Sequence, residues 1–201
     1  MNNAVLTAIK SRRSIRYYTS AVVPRSVLDC LLEAASWAPS AHNRQPWRFA
    51  VVTTETTKGT LAQAMGEQLR ADRLADNDPL PVIEADVARS HLRLTGGAII
   101  IVICLSMQDM DKYPDARRQK AEHTMAVQGA AMAAQNLMLA AHAEGLGAGW
   151  LCAPLFAPQA VTDILGLPRD WEPQGLLTLG YPEGQPKLKS RKPIETRVAW
   201  R

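Results

Sequence analysis

The sequence predicts a single α+β domain, and three observations carry that prediction. Short apolar runs rich in β-branched residues, WRFAVVT at 47–53, AIIIVICL at 98–105 and GLLTLG at 175–180, read as strands. Between them lie longer segments whose apolar residues recur at helical spacing. The chain has 201 residues, with no internal repeat and no linker, which suits one domain with a sizeable core.

Taken in order, Asn3 to Lys10 reads as a short first helix. Pro24 opens a second, with Val27, Leu28, Leu31, Leu32 and Ala35 at helical spacing, and Ala38-Pro39 closes it. Trp47 to Thr53 is a buried strand, and Thr56 to Arg70 returns to helical spacing. Arg70 to Ala88 is polar and broken by Pro79 and Pro81, so a mobile, irregular excursion is expected there. Gly97 opens AIIIVICL, apolar on both faces as an interior strand should be. Met107 to Lys120, with Tyr113-Pro114, is a second polar excursion. Glu122 to Ala143 is a helix rich in Ala, Met and Leu all round, stopped by Gly145. A helix apolar on every side must be buried on every side, which predicts a partner subunit as cover. Ala148 to Ala153 is a short strand, Ala157 to Leu165 a helix, and the tail from Pro182 to Arg201 is basic and aperiodic.

Composition narrows the function classes. The chain is 47% hydrophobic and 21% charged with a net charge of +4, values ordinary for a soluble globular protein. The cations are scattered rather than lined along one helix, so no nucleic-acid partner is expected. Cys30, Cys104 and Cys152 are far apart and lack a CxxC pair, which fits reduced thiols rather than a disulfide scaffold or zinc site. No signal-peptide core and no membrane-length apolar run is present, so the expected location is cytoplasmic.

Four stretches bear on chemistry. SRRSIRYY, Ser11 to Tyr18, puts three arginines and two serines into its first six positions, and reads either as a solvated surface or as an anion site. The tail KLKSRKP, Lys187 to Pro193, reads as a solvated tail or as a second half of that site, since paired Arg and Lys bind a phosphate dianion by charge-assisted hydrogen bonds. PSAHNRQPW, Pro39 to Trp47, is an ordinary turn or a polar loop shaped to touch a ligand. GLGAGWLCAP, Gly145 to Pro154, lacks the GxGxxG order of a dinucleotide fingerprint, yet glycines leading into a strand let a flat ligand approach the backbone. HExxH, GxSxG and Walker sequences are absent, the four histidines show no metal-ligand spacing, and Cys152 is expected to be a buried inert thiol. Anion sites without an acid–base pair, a metal or a nucleophile imply that a cofactor carries the chemistry.

In this order, RRSIR, APSAHNRQPWRF, GLGAGW, LGYP and KSRKP resemble the nitroreductase family of FMN-dependent oxidoreductases along nearly the whole chain. The resemblance implies a nitroreductase-like sandwich: an antiparallel-rich central sheet flanked by helices, in an intertwined homodimer. Residues 1–201 would form one FMN-binding domain, with 182–201 an arm crossing to the partner. It further implies that Arg12 and Ser14 meet the FMN phosphate and ribityl chain, that Arg13 belongs to the same motif, and that Arg16 sits by the flavin pyrimidine edge. Lys189 and Arg191 match the second phosphate-binding pair. Pro39, Ser40 and Asn43 match the loop that reaches the flavin from the other subunit, and Trp150, Leu151, Cys152 and Ala153 the backbone along the isoalloxazine edge.

The second half, through YPDARR, AEHTM and LPRDWEPQG, also resembles the flavin-binding C-terminal domain of FbiB, a bifunctional enzyme of deazaflavin-coenzyme synthesis. The activity expected is FMN-dependent hydride transfer from NADH or NADPH to a small-molecule acceptor such as a nitroaromatic, quinone or enone. Reduction of a dehydro precursor of a deazaflavin coenzyme is an alternative, and a non-catalytic flavin-binding module is another. The two polar excursions read as segments that shape the acceptor pocket, with Tyr113, Arg117, Arg118 and Lys120 suited to a flat acceptor with an acidic tail; the alternative for the second is an exposed charged turn.

Overall fold

The computed structural model describes residues 3–184, 186 and 190–201. Four strands are assigned among these residues: β1 (Trp47–Val52), β2 (Ile99–Ser106), β3 (Gly147–Leu151) and β4 (Trp171–Gly180). They pair antiparallel throughout, in the order β1-β2-β4-β3. Every residue of β2 is buried. Its alternation explains why: Ile99, Ile101, Ile103 and Leu105 enter one core, and Ile100, Val102 and Cys104 enter the other. A strand covered on both faces has no polar side to show, hence the unbroken apolar run.

The first core lies under α2 (Arg25–Ser36) and α5 (Ala116–Ala143), which contribute Leu28, Leu31, Ala130, Ala133 and Leu137. The second lies under α3 (Glu55–Ala75), α4 (Leu80–Thr95) and α6 (Pro158–Leu165), through Leu61, Met65, Leu94 and Val161. Caps mark the ends. Asn3 accepts from the Val5 and Leu6 amides to start α1 (Ala4–Ser11), and Asp115 accepts from the Arg118 amide to start α5.

Two expectations need correction. Arg70 to Ala88 is not irregular: it is the end of α3 and most of α4, a helical hairpin. Pro79 and Pro81 sit at the start of α4, where a missing N–H costs nothing, so they begin a helix rather than break one. The charges that made the segment look like loop pair across the hairpin, Arg70 with Glu84 at 2.7 Å and Arg73 with Asp86 at 2.5 Å. β1 is an edge strand, and Val51 is exposed rather than buried. On α5, Ala131, Met132 and Gln135 are exposed, so a single chain leaves part of this helix uncovered. No helix among the described residues is long and apolar enough to cross a membrane.

Candidate cofactor site

After α1 the chain turns and runs along the free side of β3. Ser14 bridges in parallel to Ala148, and the Ile15 amide donates to the Ala148 carbonyl at 3.0 Å. This approach depends on glycine opposite it: a Cβ on Gly149 would stand 2.6 Å from the Ile15 carbonyl oxygen. The tail begins against the same segment. Tyr18 bridges to Pro182, and the Glu183 amide donates to the Tyr17 carbonyl at 3.0 Å.

These contacts leave a cavity of about 900 Å³ between the segment, the tail and α4, lined by Arg12, Arg13, Ser14, Arg16 and Arg191. Arg13 donates to the carbonyls of Lys10 (2.6 Å) and Arg12 (2.8 Å), while its Nε is buried without a partner. The Arg12 guanidinium is held below the usual arginine range, first by burial and then by its cationic neighbours Arg191 and Arg13. Glu183 also lines the cavity, but Arg12, Arg16 and Arg191 pair with no carboxylate among the described residues. Like charges gathered in a half-buried cavity repel unless an anion sits among them. The donor set therefore fits a phosphate dianion, as FMN carries.

Two residues of this cavity escaped the sequence reading. Arg89 and Arg93 form part of its α4 wall, with Ala85, Ala88, Leu92 and Gly96. Arg89 is tied to Asp86, whereas Arg93 has no acceptor among the described residues. The signal was present, since these six positions share one face at helical spacing, but it is invisible when the stretch is read as loop.

The remaining candidates lie elsewhere. Pro39, Ser40 and Asn43 do not line the cavity of their own chain. They belong to a tight turn in which His42, Asn43 and Gln45 adopt left-handed conformations, with φ of 49°, 53° and 49°. Such backbone costs a non-glycine residue roughly 1–2 kcal/mol, less for Asn. The Ser40 hydroxyl accepts from the Gln45 amide at 2.9 Å and closes the turn. Trp150 and Leu151 end β3, and Cys152 and Ala153 follow. Cys152 is exposed rather than buried, because the strand ends before it, and its sulfur accepts from Trp150 Nε1 at 3.1 Å. Trp150 lies over Gly175, where any Cβ would meet its ring.

Tyr113, Arg117 and Arg118 are also outside the cavity. Arg118 sits 5.0 Å from the Tyr113 ring centroid and pairs with Asp115 at the start of α5. Lys120 is exposed on the same helix. Lys189 lies outside the described residues.

Comparison with known proteins accords with this geometry. Residues 9–181 match the family model described as the Nitroreductase family. A protein of Thermus thermophilus named NADH dehydrogenase is 34% identical over 206 residues, spanning 97% of this chain and 95% of that protein. A Desulfovibrio desulfuricans protein, assigned as a nitroreductase and crystallised with FMN, superposes with a TM-score of 0.75 at 27% identity, covering 100% of this chain and 98% of the other. A BluB-like flavoprotein from Clostridium difficile reaches a TM-score of 0.80 at 21% identity over 99% of both chains, a likeness of fold. The chain belongs to the nitroreductase family.

Proposed function

We propose that this chain is an FMN-dependent NAD(P)H oxidoreductase of the nitroreductase type. The observation that carries the reading is the group of arginines without carboxylate partners, Arg12, Arg16 and Arg191, around one cavity. Arg12 and Arg191, with Lys189 by resemblance, would hold the FMN phosphate, and Ser14 the ribityl chain. When bound, FMN supplies two-electron chemistry, a hydride taken from NAD(P)H and passed on to an electrophilic acceptor such as a nitroaromatic, quinone or enone. Arg16 would place a fixed cation at the pyrimidine edge, where negative charge gathers on reduction, and so favours the electron-rich form. Arg93 stands on the opposite wall and would add to the same field.

The turn at Pro39, Ser40 and Asn43 lies away from its own chain's arginines, so a second copy is needed to bring it to the cofactor. An exposed apolar face supports that arrangement: Val5, Leu6 and Ile9 on α1 and Met132 on α5 remain uncovered in one chain. A homodimer in which the arm at 182–201 crosses to the partner would bury it.

Holoprotein purification followed by an acceptor screen tests the reading. A yellow dimer is expected that releases FMN and works in two separate half-reactions, oxidation of NAD(P)H in the first and reduction of the acceptor in the second. Bound FMN with no turnover on any acceptor would leave a flavin-binding module instead. Selective turnover of a dehydro deazaflavin precursor would assign the biosynthetic step, and Arg117→Ala and Arg118→Ala would then raise KM for acidic acceptors alone.

A further inference from the structure

The left-handed turn at His42, Asn43 and Gln45 is closed by its own Ser40–Gln45 hydrogen bond and is also held from outside. Asp111, from the loop between β2 and α5, reaches across to it and pairs with both of its basic side chains, His42 Nδ1 at 3.2 Å and the Arg44 guanidinium. Asp111 is itself fixed from beneath: its amide donates to Oε1 of Glu122 at 3.1 Å, and Glu122 is buried on α5 with 1% exposure. Arg48 and Asp109 join the same two segments at 3.1 Å, and the Ser106 amide donates to the Pro46 carbonyl at 2.8 Å. One carboxylate thus grips residues on both sides of Asn43, while its own backbone is pinned to the longest helix.

We infer that Asp111 is a positioning residue, holding the turn of Pro39 to Gln45 in the conformation that meets the cofactor of a partner subunit. The inference rests on the FMN reading above. A turn built from left-handed non-glycine residues relaxes toward ordinary backbone unless its surroundings over-determine it. Relaxation would rotate Asn43 and the Ser40 carbonyl away from the shape they present. With the clasp intact the turn is ready before the cofactor arrives, and the ordering cost does not fall on binding. Glu122 supports the clasp and touches neither turn residue directly among its hydrogen-bond partners.

Amide exchange on apoprotein and holoenzyme, with FMN titrated by fluorescence, tests this. Asp111→Ala and, separately, Arg44→Ala should speed exchange across residues 40–46 in the apoprotein and weaken FMN binding about tenfold. Asp111→Glu should restore most of the affinity, which a general loss of packing would not allow. Arg44 is exposed, so its truncation spares the core and decides the matter if Asp111→Ala fails to fold. The double variant should bind FMN no worse than Asp111→Ala alone, because removing Asp111 already breaks the pairing that Arg44 makes. Unchanged exchange in the turn, or additive losses in the double variant, overturns the proposal. Wild-type protein that takes up no FMN would defeat the cofactor reading instead, and faster or unchanged exchange in the variant apoproteins relative to wild type still shows whether Asp111 holds the turn.

Discussion

The hydroxyl of Tyr18 meets Thr178 twice, at 2.9 Å from its carbonyl oxygen and 2.9 Å from Oγ1, and also lies 2.7 Å from the Ile15 carbonyl. One buried phenol therefore ties the arginine segment to the C-terminal part of β4. Burial pushes its pKa up to about 12, against an ordinary 10.0, with Thr178 and Arg16 pulling the other way. The unfolded chain loses this proton first as pH rises, so the stabilisation is complete below about pH 10 and is lost as pH climbs towards about 12. The slope should approach ~1.4 kcal/mol per pH unit in that window. Cys104, pushed up to about 12 by burial alone, adds a similar alkaline loss that begins from 9.0. Tyr18→Phe should cost about 1–2 kcal/mol at neutral pH by stranding its acceptors. Urea unfolding at a series of alkaline pH values should show the Tyr18→Phe slope reduced, with the Cys104 share remaining.

Removing single cations from the cavity should weaken the cofactor without unfolding the protein. Arg12→Ala and Arg191→Ala should each cost FMN binding about 1.5–3 kcal/mol, the range for a lost hydrogen bond to a charged group. Arg93→Ala, on the other wall, should lower affinity as well, and the Arg12 and Arg191 apoproteins should be no less stable than wild type because their mutual repulsion is relieved. Fluorescence titration beside thermal melts gives both numbers. Affinity unchanged in the Arg12 and Arg191 variants would place the phosphate elsewhere.

Gly149→Ala should disturb the site through the backbone alone. The new methyl group would meet the Ile15 carbonyl at 2.6 Å, a contact neither partner can relieve by rotating a side chain. The segment bearing Arg12 to Arg16 would have to lift from β3, at a cost of about 1–3 kcal/mol for such overpacking. Lower stability together with lost FMN is expected. Gly145→Ala should differ in cause, since its φ of 74° is strained for alanine while open space surrounds it.

Truncation after Pro182 tests the arm. Obligate interfaces commonly bury more than ~2,000 Å², and the uncovered faces of α1 and α5 need such cover. The shortened chain also loses Arg191 and with it FMN affinity, so light scattering decides the role of the arm: aggregation is expected. A soluble monomer would show that the arm is dispensable.

The sequence by itself determined what depends on neighbours in the chain. The unbroken run at Ile99–Ser106 could only be a strand covered on both faces, and the spacing of Leu28, Leu31 and Ala35 could only be one side of a helix. The ordered motifs likewise carried the family. Reading failed where local chemistry was ambiguous: charges and prolines at 70–88 looked like loop because their pairing partners lie on the neighbouring helix, across a hairpin turn. Tertiary structure alone decided which distant residues meet. Arg12 and Arg191 share a cavity because the first segment lies along β3 and the tail returns to Tyr17 and Tyr18, contacts made by backbone hydrogen bonds that carry no sequence signature. The place of Arg93 in that cavity, and the grip of Asp111 on His42 and Arg44, follow from the packing of α4 and α5 on opposite faces of the sheet. Periodicity shows which side of an element is buried, whereas only the packed sheet determines what that side faces.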